Sequence, residues 1–159
     1  MKGKMAIMAA AALLQLSCGI VFAADAWQAD IKIGVQNAEI RLVVGQSPDA
    51  TDGIDGAYDI PALLAGDIQS CLILEGKEYW KDIKSSSGNK TWDFTVESEL
   101  AGKDINIKWN PARVPSDMKV MLTDMNTGTA MDMRSQSGYT YQNTGKRQFS
   151  IKTVNLEKQ

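Results

Sequence analysis

Four aspartates within eleven residues, Asp49, Asp52, Asp55 and Asp59, are the densest set of chemically capable side chains in this chain. So many carboxylates in one stretch repel one another unless water, backbone amides or a cation takes up their charge. Gly53 and Gly56 allow the backbone to turn sharply, so several oxygens could be aimed at one point. Ca²⁺ asks for about 6–8 oxygen ligands, and the composition suits it. The spacing is not that of an EF-hand loop, which needs acidic or amide groups at its first, third and fifth positions and a glutamate at the twelfth. The competing reading is that the aspartates accept local backbone hydrogen bonds and shape a long ordered loop. Tyr58 lies within this stretch, and Tyr79 and Trp80 follow it. Exposed rings beside polar groups would form a stacking platform for a carbohydrate.

Catalysis has little to work with. The chain contains no histidine, which removes Ser-His-Asp and Cys-His chemistry and any histidine-ligated zinc. The four loop aspartates are the one dense set for acid–base or metal-assisted work. They share a single loop, whereas hydrolytic carboxylates usually face each other across a cleft. No enzyme is expected. Cys71 sits in the apolar run Cys71-Leu72-Ile73-Leu74 without a cationic neighbour to activate its thiol, so it reads as a packed residue. Met118, Met121, Met125, Met131 and Met133 cluster, and soft thioethers can hold Cu(I). Met118 and Met121 have opposite strand parity, which favours packing over a shared metal.

The elements that carry these residues read in steps of two. Ala29, Ile31, Ile33 and Val35 alternate with polar positions, and after the turn at 36–39 Ile40, Leu42 and Val44 resume the alternation. Further stripes are Trp92, Phe94 and Val96; Ile105, Ile107 and Trp109; and Met118, Val120 and Leu122. The run 130–134, the pair Tyr139 and Tyr141, and Phe149, Ile151 and Thr153 complete the pattern. No stretch sustains a period of 3.6. The expected fold is all-β: an immunoglobulin-like or fibronectin-like β-sandwich of eight or nine strands, with Trp92 and Trp109 in its core.

Before that domain stands a leader. Lys2 and Lys4 precede the apolar run Met5 to Leu14, and the segment closes on Val21-Phe22-Ala23-Ala24, the layout of a cleaved export signal. The run is shorter than the roughly 20 residues of a membrane-spanning helix. Residues 1–24 are therefore expected to be a signal peptide, and 25–159 a single secreted or periplasmic domain that ends with its last strand. Leu16-Ser17-Cys18-Gly19 offers a lipoprotein-like alternative. Gln15 and the greasy residues after Cys18 make a lipid anchor there the weaker reading. Without the leader's two lysines the domain has 15 basic and 19 acidic residues, and no basic cluster of the kind nucleic acid requires.

The stretch Gly45…Asp49-Ala50-Thr51-Asp52-Gly53-x-Asp55-x-x-Tyr58-Asp59-x-Pro61 resembles a segment of exported bacterial surface proteins built from immunoglobulin-like modules. Trp80-x-x-Asp82-Ile83-Lys84, Lys90-Thr91-Trp92-Asp93-Phe94-x-Val96 and Ile107-Lys108-Trp109-Asn110 resemble the following blocks of the same family. Val120 to Asp124, and Gly128 with Met131 to Arg134, do so as well. The resemblance implies an exported β-sandwich and brings no catalytic set. The function expected is a non-catalytic extracytoplasmic interaction or assembly module, with a protein partner at the cell surface or in the periplasm. The alternative is a carbohydrate- or calcium-binding module that uses the acidic loop and its aromatics.

Overall fold

The computed structural model describes residues 26–156. The leader expected at 1–24, and Cys18 within it, lie outside those residues. Eleven strands and one short 3-10 turn make up the described chain. Alternating burial accounts for most of them. In β1 (Trp27–Val35) residues 29, 31, 33 and 35 are buried while 28, 30 and 32 face solvent. A two-residue turn with Gln36 at φ 51° leads into β2 (Ala38–Ser47). β3 (Ile60–Pro61) follows the acidic loop, and β4 (Gln69–Leu74) and β5 (Lys77–Ser85) form a second hairpin. Its turn, Glu75–Gly76, places both residues at positive φ, the twist that suits the strands on either side.

The remaining strands are β6 (Thr91–Glu97), β7 (Asp104–Lys108), β8 (Met118–Asp124), β9 (Ala130–Asp132), β10 (Gly138–Gln142) and β11 (Arg147–Asn155). All of them join one sheet in the order β10-β7-β1-β2-β5-β4-β6-β11-β8-β9, with β3 added on β5. The sheet rolls into a nearly closed, barrel-like shape. The expectation of an all-β domain holds. Among the described residues the strands number eleven rather than eight or nine, and their pairing is continuous.

The interior is one hydrophobic cluster. Trp92 on β6 meets Trp27 on β1 edge to face, with ring centroids 5.9 Å apart, although these strands are not neighbours in the sheet. Phe149 on β11 stacks on Phe94 of β6 at 5.1 Å and touches Tyr139 and Tyr141 of β10 from across the interior. Each fully buried large side chain of this kind contributes about 1.5–3 kcal/mol. Trp92 and Trp109 are buried as expected, and each finds an acceptor: Trp92 Nε1 donates to the Asp82 carbonyl at 3.1 Å, and Trp109 Nε1 to the Met133 carbonyl at 2.9 Å. Met118, Met131 and Met133 pack in this core while Met125 is exposed, so the methionines do not converge. Cys71 is free and buried, and burial pushes its thiol pKa up. No helix among the described residues is long and apolar enough to cross a membrane.

Close approach of β1 and β2 sets one local demand. A Cβ on Gly45 would run into the carbonyl oxygen of Trp27 and lie 2.8 Å from the Cα of Gln28. Backbone atoms cannot yield as a flexible side-chain tip can. Gly45→Ala is expected to destabilise the domain by about 2–4 kcal/mol through this overpacking. A thermal melt followed by circular dichroism checks it, and an unchanged midpoint would contradict the close approach.

Candidate functional site

The acidic loop runs back along one edge of β5 as a strand whose last hydrogen bonds come from side chains. β3 supplies the backbone part: Ile60 pairs with Lys81, Pro61 with Tyr79, and Ala62 N–H donates to the Glu78 carbonyl at 3.0 Å. Upstream the backbone leaves the sheet and carboxylates replace it. Asp59 Oδ1 accepts from Ile83 N–H at 3.1 Å, and Asp52 Oδ1 accepts from Ser85 N–H at 3.1 Å. Residues 83 and 85 present their N–H groups to the same side of the strand, so the two aspartates continue the row.

Each of these carboxylates has further work. Asp59 Oδ2 accepts from Asp55 N–H at 2.6 Å, and Asp55 Oδ1 accepts from Ala57 N–H at 3.1 Å. Asp52 receives the Ser85 hydroxyl at 2.8 Å and the buried Lys90 ammonium at 2.7 Å. Partial burial pushes the Asp52 carboxyl up, but the bonds from Lys90 and Ser85 outweigh it and hold the group below its ordinary value. Asp49 is exposed at the start of the loop. The local-bonding reading thus accounts for Asp52, Asp55 and Asp59. Among the described residues, no three His, Cys, Asp or Glu side chains gather closely enough to hold a metal ion.

Tyr79 and Trp80 separate by strand parity on β5, and Tyr58 lies in a turn of the loop. Tyr79 turns into the barrel and is 6% exposed, so it presents no ring to solvent. Tyr58 and Trp80 lie on the outside, where they pack against a small second cluster of Val43, Ala50 and Ile83 beneath the loop. The Arg41 guanidinium stands 5.6 Å from the Trp80 ring centre. Next to this cluster β5 buries the ion pair Asp82–Lys84, at 3.0 Å. Burial raises the Asp82 pKa, Lys84 opposes the rise, and the Asp59 and Asp52 carboxylates add to it.

Sequence reasoning missed a concavity beside β1. After β7 the chain makes the turn Pro111–Arg113, capped by Asn110, whose Oδ1 accepts from Ala112 N–H at 3.0 Å. This turn stands beside the outer face of β1 and walls a cavity of about 450 Å³ lined by Gln28, Asp30, Lys32, Lys108, Trp109, Asn110 and Arg113. A second cavity of about 480 Å³ adjoins it around Trp27, Tyr58 and Lys81, and shares Gln28 and Arg113. The exposed polar positions of β1 carried the signal in part. Their meeting with Lys108 and Arg113 depends on a strand register that local alternation does not reveal.

Comparison with protein-family models, curated proteins and solved structures finds no match to the chain.

Replacing Asp59 by Ala would leave the N–H groups of Ile83 and Asp55 without their acceptor. The expected cost is about 1–3 kcal/mol, with hydrogen-exchange protection lost at Ile83 ahead of the barrel core. Retained protection at that amide would show that the carboxylate does not hold the edge.

Proposed function

We propose that this chain is a non-catalytic, exported interaction or assembly module that recruits an extended segment of a protein partner along β10. The observation that carries this reading is an open strand edge. Trp109 N–H donates to the Ser137 carbonyl and Asn143 N–H to the Lys103 carbonyl, so residues 137, 139, 141 and 143 turn their backbone groups toward β7. Gly138, Thr140 and Gln142 turn theirs the other way, and no described residue pairs with them. At the opposite end of the sheet β9 is only three residues long, and its Asp132 carbonyl is taken by the N–H groups of Ser135 and Gln136. That edge is blunted while β10 is not, and an unpaired edge is the natural docking rail for another strand.

Several features support the rest of the reading. The buried carboxylates Asp59, Asp82 and Asp124 are each engaged in hydrogen bonds or ion pairs with the fold. The ring contacts across the interior suit a two-layer, immunoglobulin-like description: β10-β7-β1-β2 facing β4-β6-β11-β8-β9, joined through β5. The resemblance of the Gly45–Pro61 stretch to surface-protein modules and the signal-like leader suit a secreted or periplasmic bacterial location. A photo-crosslinking group at Thr140 is expected to capture a partner segment in native material, and Thr140→Pro to reduce that capture at least about tenfold with the fold intact. Recovery of an uncrosslinked monomer alone would contradict the reading.

Calcium or carbohydrate binding at the acidic loop is the second reading, favoured by the exposure of Asp49 and the partial exposure of Asp52 and Asp55 around Tyr58. If Ca²⁺ is held there, chelation with millimolar EDTA should lower the melting midpoint by several degrees, as loss of a ligand specific to the folded state requires. An unchanged midpoint would remove the cation from the account.

A further inference from the structure

The register of three strands builds a row of cations on the outside of the barrel. Lys32 on β1 stands directly opposite Lys108 on β7 and directly opposite Arg41 on β2. Like charges facing each other across strands are unfavourable unless something of opposite sign lies between them. The chain supplies little. Lys32 Nζ is 3.7 Å from Glu39 and Arg41 Nη1 is 3.8 Å from Asp30, long pairs between half-exposed groups that contribute weakly. Lys108 and Arg113 have no carboxylate partner among the described residues. Across from Lys108 on its other side stands Gly138, which adds no side chain.

This uncompensated charge borders the cavity beneath the Pro111–Arg113 turn, in a chain whose net charge is −2. The cavity is not purely cationic. Gln28 and Asn110 bring amide groups, and Asn110 has committed only its Oδ1 to the turn. Asp30 adds an acceptor on the same wall. At about 450 Å³ the space falls in the range of small-molecule sites and exceeds what a bare inorganic anion would need. Cations grouped beside donors and one carboxylate suit a ligand that carries both a negative group and hydroxyls.

We infer that the cavity between β1, Lys108 and the Pro111–Arg113 turn binds a small hydroxylated anion, of the class of sugar acids and sugar phosphates. Lys32, Lys108 and Arg113 take the anionic group, and Gln28, Asn110 and Asp30 take the hydroxyls. Isothermal titration of the purified protein with glucuronate, glucose 6-phosphate, glucose and inorganic phosphate tests this. One of the first two should bind at least about tenfold more tightly than either of the last two, and Lys108→Gln and Arg113→Gln should each weaken it about tenfold with unchanged melting. Both side chains are exposed, so the variants are expected to fold. Binding of glucose as tight as that of glucuronate and glucose 6-phosphate overturns the anionic part. Binding of phosphate as tight as theirs overturns the hydroxyl part. No saturation by any of the four, or indifference to both substitutions, overturns the site. Neither variant alters the free edge of β10, so partner capture at Thr140 stands or falls separately.

Discussion

The barrel depends on satisfying both edges of β5. This strand joins the two halves of the sheet: it runs parallel to β2 over residues 81–85 and pairs with β4 over 77–79. A parallel neighbour cannot be reached by a short hairpin, and the chain uses the acidic loop as part of the crossover between β2 and β5. Backbone groups left bare at such a junction would cost as much as lost hydrogen bonds. β3, Asp59 and Asp52 cover them in turn along one edge. A relay fixes the other parts: Trp27 Nε1 donates to Gln46 Oε1 at 3.0 Å, and Gln46 Nε2 donates to the Ser85 carbonyl at 3.0 Å. β1, β2 and β5 are thereby held at one end of the barrel by a chain of bonds that spares no polar atom of Gln46.

Across the interior, β10 and β8 share no strand pairing among the described residues and are tied by a buried charge. Asp124 is fully buried and accepts from Asn126 N–H at 3.0 Å, the Tyr139 hydroxyl at 2.9 Å and Arg147 Nη1 at 2.8 Å. Burial alone would push this carboxyl up; the Tyr139, Asn126 and Arg147 interactions outweigh it and keep the carboxyl below its ordinary value. Arg147 also lies over the Tyr141 ring, 4.1 Å from its centre. A buried ion pair is a poor source of net stability, but it penalises every arrangement that separates the partners. Here it specifies which strands face each other where the backbone ladder stops.

The alternating strands were legible because their two faces differ in environment. β1, β6, β7 and β8 each show one buried and one solvated face, and each was read from its period of two. β5 was not, for a physical reason. The outer side of its Ile83 is covered by the acidic loop, and Asp82 and Lys84 are buried as a pair. Residues 82 to 84 are therefore all buried, and two of them are charged, so neither alternation nor an apolar run marks the strand. β3 has two residues and no pattern to offer. The aspartates were recognised as the distinctive feature, and local bonding was among their readings. Their target, the far edge of a strand up to 33 residues away, is a tertiary fact. The same holds for the cation row, whose members lie in three strands separated by up to 76 positions.

The outer surface follows from these constraints. One flank of the barrel is consumed by structure: the loop covers β2 and β5, and its carboxylates complete the sheet. The flank formed by β1, β7 and β10 carries no such cover. There the polar faces of β1 and β7 meet in a register that sets lysine against lysine, and β10 ends the sheet with alternate backbone groups that no described residue pairs. Stability alone gives no reason to oppose like charges across strands or to leave an edge long and unblunted. The two departures occur on adjoining strands, outside the loop that dominates the sequence. Function in this molecule is therefore better sought on the face that the fold leaves frustrated than in the stretch with the most conspicuous residues.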